Sequence, residues 1–153
     1  MTHTQEALID LAAQHLADFD LAGELGLGPS EIAAGLCAAE ADLDAGRSAE
    51  AAVRFAVLAL LDPGAVGPQA GLCRCAMAEG RFEVAMNTAA RIVMLHPARG
   101  EGFLLLGLAA AAMGETDAAI EDFQSALDRA PDGSALADAA RGGLAAAQAR
   151  RAS

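Results

Sequence analysis

The chain has 153 residues, a formal net charge of −11, and ten arginines with no lysine. An acidic chain repels the phosphate backbone, so nucleic acid and anionic membrane surfaces are poor partners. Hydrophobic residues make up 54% of it, but aromatics reach only 3% and neither Trp nor Tyr occurs, so a core must come from many close contacts among small side chains rather than from a few large anchors.

Strand-type alternation is absent and alanine, the strongest helix former, dominates, so the chain reads as all-α. The start, MTHTQEALID, lacks the basic end and apolar stretch of a secretory leader, and a cytoplasmic location is expected. A lead-in helix is predicted over 5–24. Leu8, Leu11, His15 and Phe19 form its apolar stripe together with Ala12, and Ile9 and Leu16 widen it. This stripe has two readings, a cap on the next helices of the chain or a homodimer contact through Leu8, Leu11, His15 and Phe19. The GLGPS stretch (26–30) breaks the chain, with Ser30 as the expected N-cap and Glu31 in the first turn. Helices are then predicted over 31–45, 48–61, 66–79, 82–95, 100–113 and 116–130. After the PDGS turn comes a closing helix over 134–150, with Leu136, Ala140, Leu144 and Ala147 on one face and Gly142–Gly143 as a weak point. The run GFLLLGLAAAAMG (102–114) is too short to span a bilayer, which takes about 20 residues.

These helices repeat. Gly46, Gly80 and Gly114 are spaced by 34 residues, and so are Ala51, Ala85 and Ala119, and Pro63, Pro97 and Pro131. Phe55 pairs with Phe123, although the middle copy carries Ala89 there. A helix–turn–helix unit of this length is the signature of the tetratricopeptide repeat. The predicted architecture is therefore an α-solenoid of three tandem tetratricopeptide repeats, 32–65, 66–99 and 100–133, within one domain (1–153). The N-terminal helix leads in and the 134–150 helix caps the end. In each copy Gly should end the first helix by entering the left-handed conformation. Pro should stop the second. A small residue (Ala39, Cys73, Gly107) should let the paired helices approach.

Catalytic signatures are missing. His3, His15 and His96 are scattered, and no phosphate loop, nucleophile elbow or zinc-binding helix motif is present. Neither a cofactor nor a metal is expected, and the reading is not an enzyme. Cys37, Cys73 and Cys75 read as buried structural thiols, with Cys73 and Cys75 on different helix faces. The functional surface is the one that stacked helix pairs create, since the first helix of each pair lines the concave side. Inward positions are Leu36, Glu40 and Leu43 in the first copy, then Ala70, Arg74 and Met77, then Glu101, Leu104, Leu108 and Ala111. This groove suits an extended, apolar protein segment. The competing reading is that the closing helix folds back and fills it. The carboxylate clamp of heat-shock-chaperone adaptors is disfavoured, because the chain has no Lys and its one Asn, Asn87, lies in a second helix.

The segment LLDPGAVGPQAGLCRCAMAEGRFEVAM (60–86) resembles the central part of the class II chaperones of type III secretion, which bind translocator proteins. That family carries a run of the form G-x-C-R-x-A-M-G-x-Y-x-x-A. The matching residues are Gly71, Cys73, Arg74, Ala76, Met77, Gly80, Phe82 and Ala85, with Ala78 and Glu79 standing between Met77 and Gly80. The resemblance implies a cytoplasmic chaperone that holds an extended apolar segment of a secreted translocator in its groove and dimerises through the N-terminal helix. The alternative is a general repeat adaptor in another bacterial assembly.

Overall fold

A computed structural model of the chain describes residues 20–152. Among them are eight helices and no strand: α1 Leu21–Glu24, α2 Pro29–Asp44, α3 Ser48–Leu61, α4 Val66–Ala78, α5 Phe82–Leu95, α6 Glu101–Met113, α7 Thr116–Leu127 and α8 Ala135–Arg151. The helices α2–α3, α4–α5 and α6–α7 are three successive helix pairs, and α8 comes last as a single closing helix. The predicted lead-in helix is seen here only as its last four residues, and its predicted interface residues Leu8, Leu11, His15 and Phe19 lie outside the described residues.

The repeat markers do what their chemistry requires. Gly46, Gly80 and Gly114 succeed the first helix of each pair with φ of 75°, 71° and 82°. The next residue's N–H then folds back to a carbonyl five residues earlier: Arg47 to Asp42, Arg81 to Ala76, and Glu115 to Ala110, at 2.8, 2.8 and 2.9 Å. This bond satisfies a helix-end carbonyl that would otherwise be orphaned. At the other boundary Asp62 and His96, each preceding a proline, leave helical geometry at φ −139°, ψ 91° and φ −136°, ψ 63°. Proline's ring excludes the helical conformation for the residue before it.

Two of the repeat-helix boundaries differ from expectation by more than one residue. The N-cap of α2 is Gly28, not Ser30. Pro29 occupies the first helical position, where a missing N–H costs nothing, and the Glu31 carboxylate accepts from the Gly28 N–H at 3.0 Å. Helix α7 stops at Leu127 rather than 130, because Arg129 and Ala130 tighten into bonds to the carbonyls three residues back, Ala126 and Leu127.

Packing alternates small against large. Ala51, Ala85 and Ala119, at the crossing of each pair, are fully buried, and so are Ala39 and Cys73. The Phe55 ring lies over Gly71, where an added Cβ would stand 2.4 Å from it. The Phe123 ring sits between Gly107 and Gly143, where an added Cβ would stand 2.7 and 2.6 Å away. Gly143 is thus a socket and not the weak point expected of the Gly142–Gly143 pair. Between these two rings the order inverts. Ala89 and Leu105 share the core cluster of the second and third pairs, so the small residue sits on the second helix and the large one on the next first helix.

Side chains tie adjacent turns together. Gln69, buried, donates to the Pro63 carbonyl and accepts from Arg91 Nε at 3.2 Å. His96 Nε2 donates to the Gly64 carbonyl at 2.7 Å. Arg129 donates to the Pro97 carbonyl at 2.9 Å and lies 4.2 Å over the Phe103 ring. In the first pair, the Asp42 carboxylate accepts from both Arg47 and Arg54, at 2.6 and 2.7 Å, and these bonds hold its pKa below the ordinary carboxylate value.

Candidate functional site

The three first helices make one continuous face. Each helix packs on the next in chain order. In addition α2 touches α4, α4 touches α6 and α6 touches α8, while the second helices α3, α5 and α7 do not touch one another. Rods closer on one side than on the other bend the array, so the first helices line its inner side.

The ten sequence-predicted groove residues lie on α2, α4 and α6, and none of them is fully buried. Leu36, Leu43, Ala70, Met77, Leu104 and Ala111 are half-buried, with one side packed on the core clusters. Leu108, predicted to face the groove, is 40% exposed. Helix α8 does not lie across this face. It contacts only α6 and α7, where it occupies the place of a further first helix. The closing helix therefore reaches neither α2 nor α4, while at the α6 end its Ala147 shares a core cluster with Leu104 and Ala111.

The charges on these residues are paired off. Arg74 Nη2 donates to Glu40 Oε1 at 2.5 Å, linking the same register position of consecutive pairs, 34 residues apart. Both side chains remain more than a third exposed, so the pair adds little stability. It leaves the face without net charge there. Glu101 accepts from Arg99 at 2.6 Å, and that bond holds the Glu101 carboxyl below its usual range despite partial burial. What remains is neutral and apolar, with small side chains at Ala70 and Ala111.

The thiols separate. Cys73 joins the core between the second and third pairs and Cys75 the core between the first and second, while Cys37 is exposed rather than buried as expected. Burial pushes the Cys73 thiol up to about 11 and raises that of Cys75, so both stay protonated and unreactive at neutral pH. No cluster of three or more His, Cys, Asp or Glu fit to hold a metal occurs among the described residues. No described helix is long and apolar enough to cross a membrane.

Sequence reasoning missed Arg150, whose Nη1 donates to the Ala111 carbonyl at 3.2 Å and ties the closing helix to the end of α6. A basic residue in the last turn of a helix was the available signal, but nothing in the repeat period points to its partner.

This architecture defines the class, an all-α solenoid of three tandem tetratricopeptide repeats with a closing helix. No family model and no curated protein matches the sequence. Among solved structures, a type III secretion complex from Aeromonas hydrophila is 21% identical, over 95% of this chain and 98% of that one, with a TM-score of 0.76. The translocator chaperone SycD of Yersinia enterocolitica is 17% identical over 84% and 98%, with a TM-score of 0.75. PcrH, in complex with the chaperone-binding region of PopD, is 23% identical over 82% and 97%, with a TM-score of 0.70. SycD has also been solved with a peptide of the translocator YopD. The fold is thus that of type III secretion translocator chaperones, and it is shared with repeat domains such as that of Sgt2 from Aspergillus fumigatus, at a TM-score of 0.73.

Proposed function

We infer that this protein is a cytoplasmic chaperone that holds an extended, apolar segment of a secreted translocator in the groove lined by α2, α4 and α6. The observation that carries this reading is the inner face itself. Half-exposed apolar side chains run its length, its charges are already paired, and α8 reaches neither α2 nor α4. Contiguous exposed apolar surface of this kind marks an interaction site. The likeness in fold to PcrH and SycD, both solved with translocator segments, supports the same reading. Held there, the cargo would stay soluble and unassembled until export. The Glu40–Arg74 pair argues against a carboxylate clamp, because the one arginine of the central groove is already committed. The resemblance also supports a homodimer through the N-terminal segment.

The test is co-expression with a translocator from the same genome that is insoluble alone. The wild-type chain should bring it into solution. Met77→Glu and Leu104→Glu should abolish this, at least about tenfold in affinity, and leave helicity unchanged. Normal cargo solubility with both variants would overturn the groove assignment. Recovery of only folded, independently soluble partners would favour the adaptor reading.

A further inference from the structure

All ten arginines lie among the described residues, and their partners differ. Seven are paired with a carboxylate, and Arg129 and Arg150 are spent on backbone carbonyls. Arg91 is the tenth. Its Nε donates to Gln69 Oε1 at 3.2 Å, and Gln69, 1% exposed, is itself anchored on the Pro63 carbonyl. This buried tether orients the guanidinium and leaves both Nη groups without a partner among the described residues. Asn87 stands one turn earlier on the same face of α5, and its side-chain amide is also unbonded there. Two cavities meet at Arg91. One, of about 350 Å³, is floored by Gln69 and Leu72 of α4 and walled by Val84, Asn87, Thr88 and Arg91 of α5. The other, of about 570 Å³, runs from Arg91 and Leu95 to Asp62 and Gly64 in the preceding turn. Neither belongs to the groove, because Leu72 lies across α4 from Ala70 and Arg74, two residues away on either side.

We propose that Asn87 and Arg91 form a binding site for a carboxylate on the outer side of the array. The two free Nη groups of an arginine meet both oxygens of a carboxylate as a fork, through charge-assisted bonds. Asn87 adds an amide donor beside them. The other polar groups of the two cavities are occupied. Thr88 gives its hydroxyl proton to the Val84 carbonyl at 2.9 Å. Asp62, at the far border, accepts from the Gly64 N–H at 3.0 Å and forms no ion pair with Arg91. Leu72 and the half-exposed Val84 supply an apolar wall for the stem that carries the carboxylate. The net charge of −11 repels anions at long range, so affinity rests on these short contacts. The site therefore takes a single carboxylate rather than a polyanion.

The test is an NMR titration of the isotope-labelled full chain with sodium acetate at constant ionic strength. The side-chain amide of Asn87, the chain's one asparagine, and the Nε–H of Arg91 should shift together and saturate. Sodium chloride should not reproduce this. Asn87→Asp sets a carboxylate one turn from Arg91, satisfies the fork from within and should weaken acetate binding at least about tenfold. Asn87 is exposed, so this variant keeps the fold. Arg91→Lys keeps the charge but loses the planar fork and should also weaken binding. Met77→Glu, in the groove, should bind acetate as the wild type does. Shifts that never saturate, or acetate binding unchanged in Asn87→Asp, would overturn the proposal. Two capped peptides, Leu-Glu-Leu and Leu-Gln-Leu, then identify the source of the carboxylate. A glutamate peptide that binds at least about tenfold tighter than acetate assigns the site to an acidic side chain of a protein partner. Equal affinity for that peptide and acetate assigns it to a free small carboxylate. Equal binding of the two peptides would mean that no carboxylate is recognised.

Discussion

Two neighbouring glycines of α8 carry opposite consequences. An added Cβ at Gly143 would stand 2.6 Å from the Phe123 ring, whereas at Gly142 nothing lies within 4 Å. Gly143→Ala should therefore cost about 1–3 kcal/mol through overpacking, and Gly142→Ala should stabilise by up to about 1 kcal/mol through helix propensity. Chemical denaturation of both variants checks this, and equal effects would deny the ring its socket. Asp122 is a second case. Partial burial, and then the neighbouring Glu121, push its carboxyl from 3.8 up to about 6. Between these values the folded chain binds more protons than the unfolded one, so this group lowers stability as pH rises through that window. Asp122→Asn should raise stability at pH 7.5 by about 1–2 kcal/mol, allowing for its solvent-facing part, and should flatten the decline between pH 4 and 6. Parallel pH profiles for the two proteins would contradict the assignment.

At the scale of the helix, most boundaries were legible because they are enforced by single residues. A glycine that must turn left-handed and a proline that cannot continue a helix act locally, so Gly46, Gly80 and Gly114, with Pro63 and Pro97, mark edges without knowledge of neighbours. The misses have the opposite character. Gly28 caps α2 because Pro29 beside it prefers the first helical position, and Gly143 matters because of a ring 20 residues away. The 34-residue period places all ten predicted groove residues on the three first helices, α2, α4 and α6. The bond from Arg150 to Ala111 depends on how α6 and α8 meet, which no period encodes. The closing helix can be tested at its most buried point. Ala140 is fully buried against the last pair, so Ala140→Asp should place an uncompensated charge there and cost about 3 kcal/mol or more. A drop of roughly 10 °C in the melting temperature is expected, and an unchanged melt would mean that α8 is detachable.

For the whole molecule, burial is graded around the first helices. They bury Ala39, Cys73 and Gly107 fully and leave Leu36, Met77 and Leu104 half-buried. Because Leu36, Met77 and Leu104 each pack partly on a core cluster, Met77→Glu and Leu104→Glu should lower the melting temperature somewhat while keeping the helices, so cargo binding is compared at a temperature where both variants are folded. The inverted fit at the centre of the array has a further consequence. Phe55 meets Gly71, Ala89 shares its core with Leu105, and Phe123 meets Gly143. Each junction is a lock cut for one key. Duplicating 66–99 in tandem would set Ala89 beside the new copy's Gly71, hole facing hole, with a void where a ring belongs. Although its units share one period, the array can be neither lengthened nor reordered without recutting its joints.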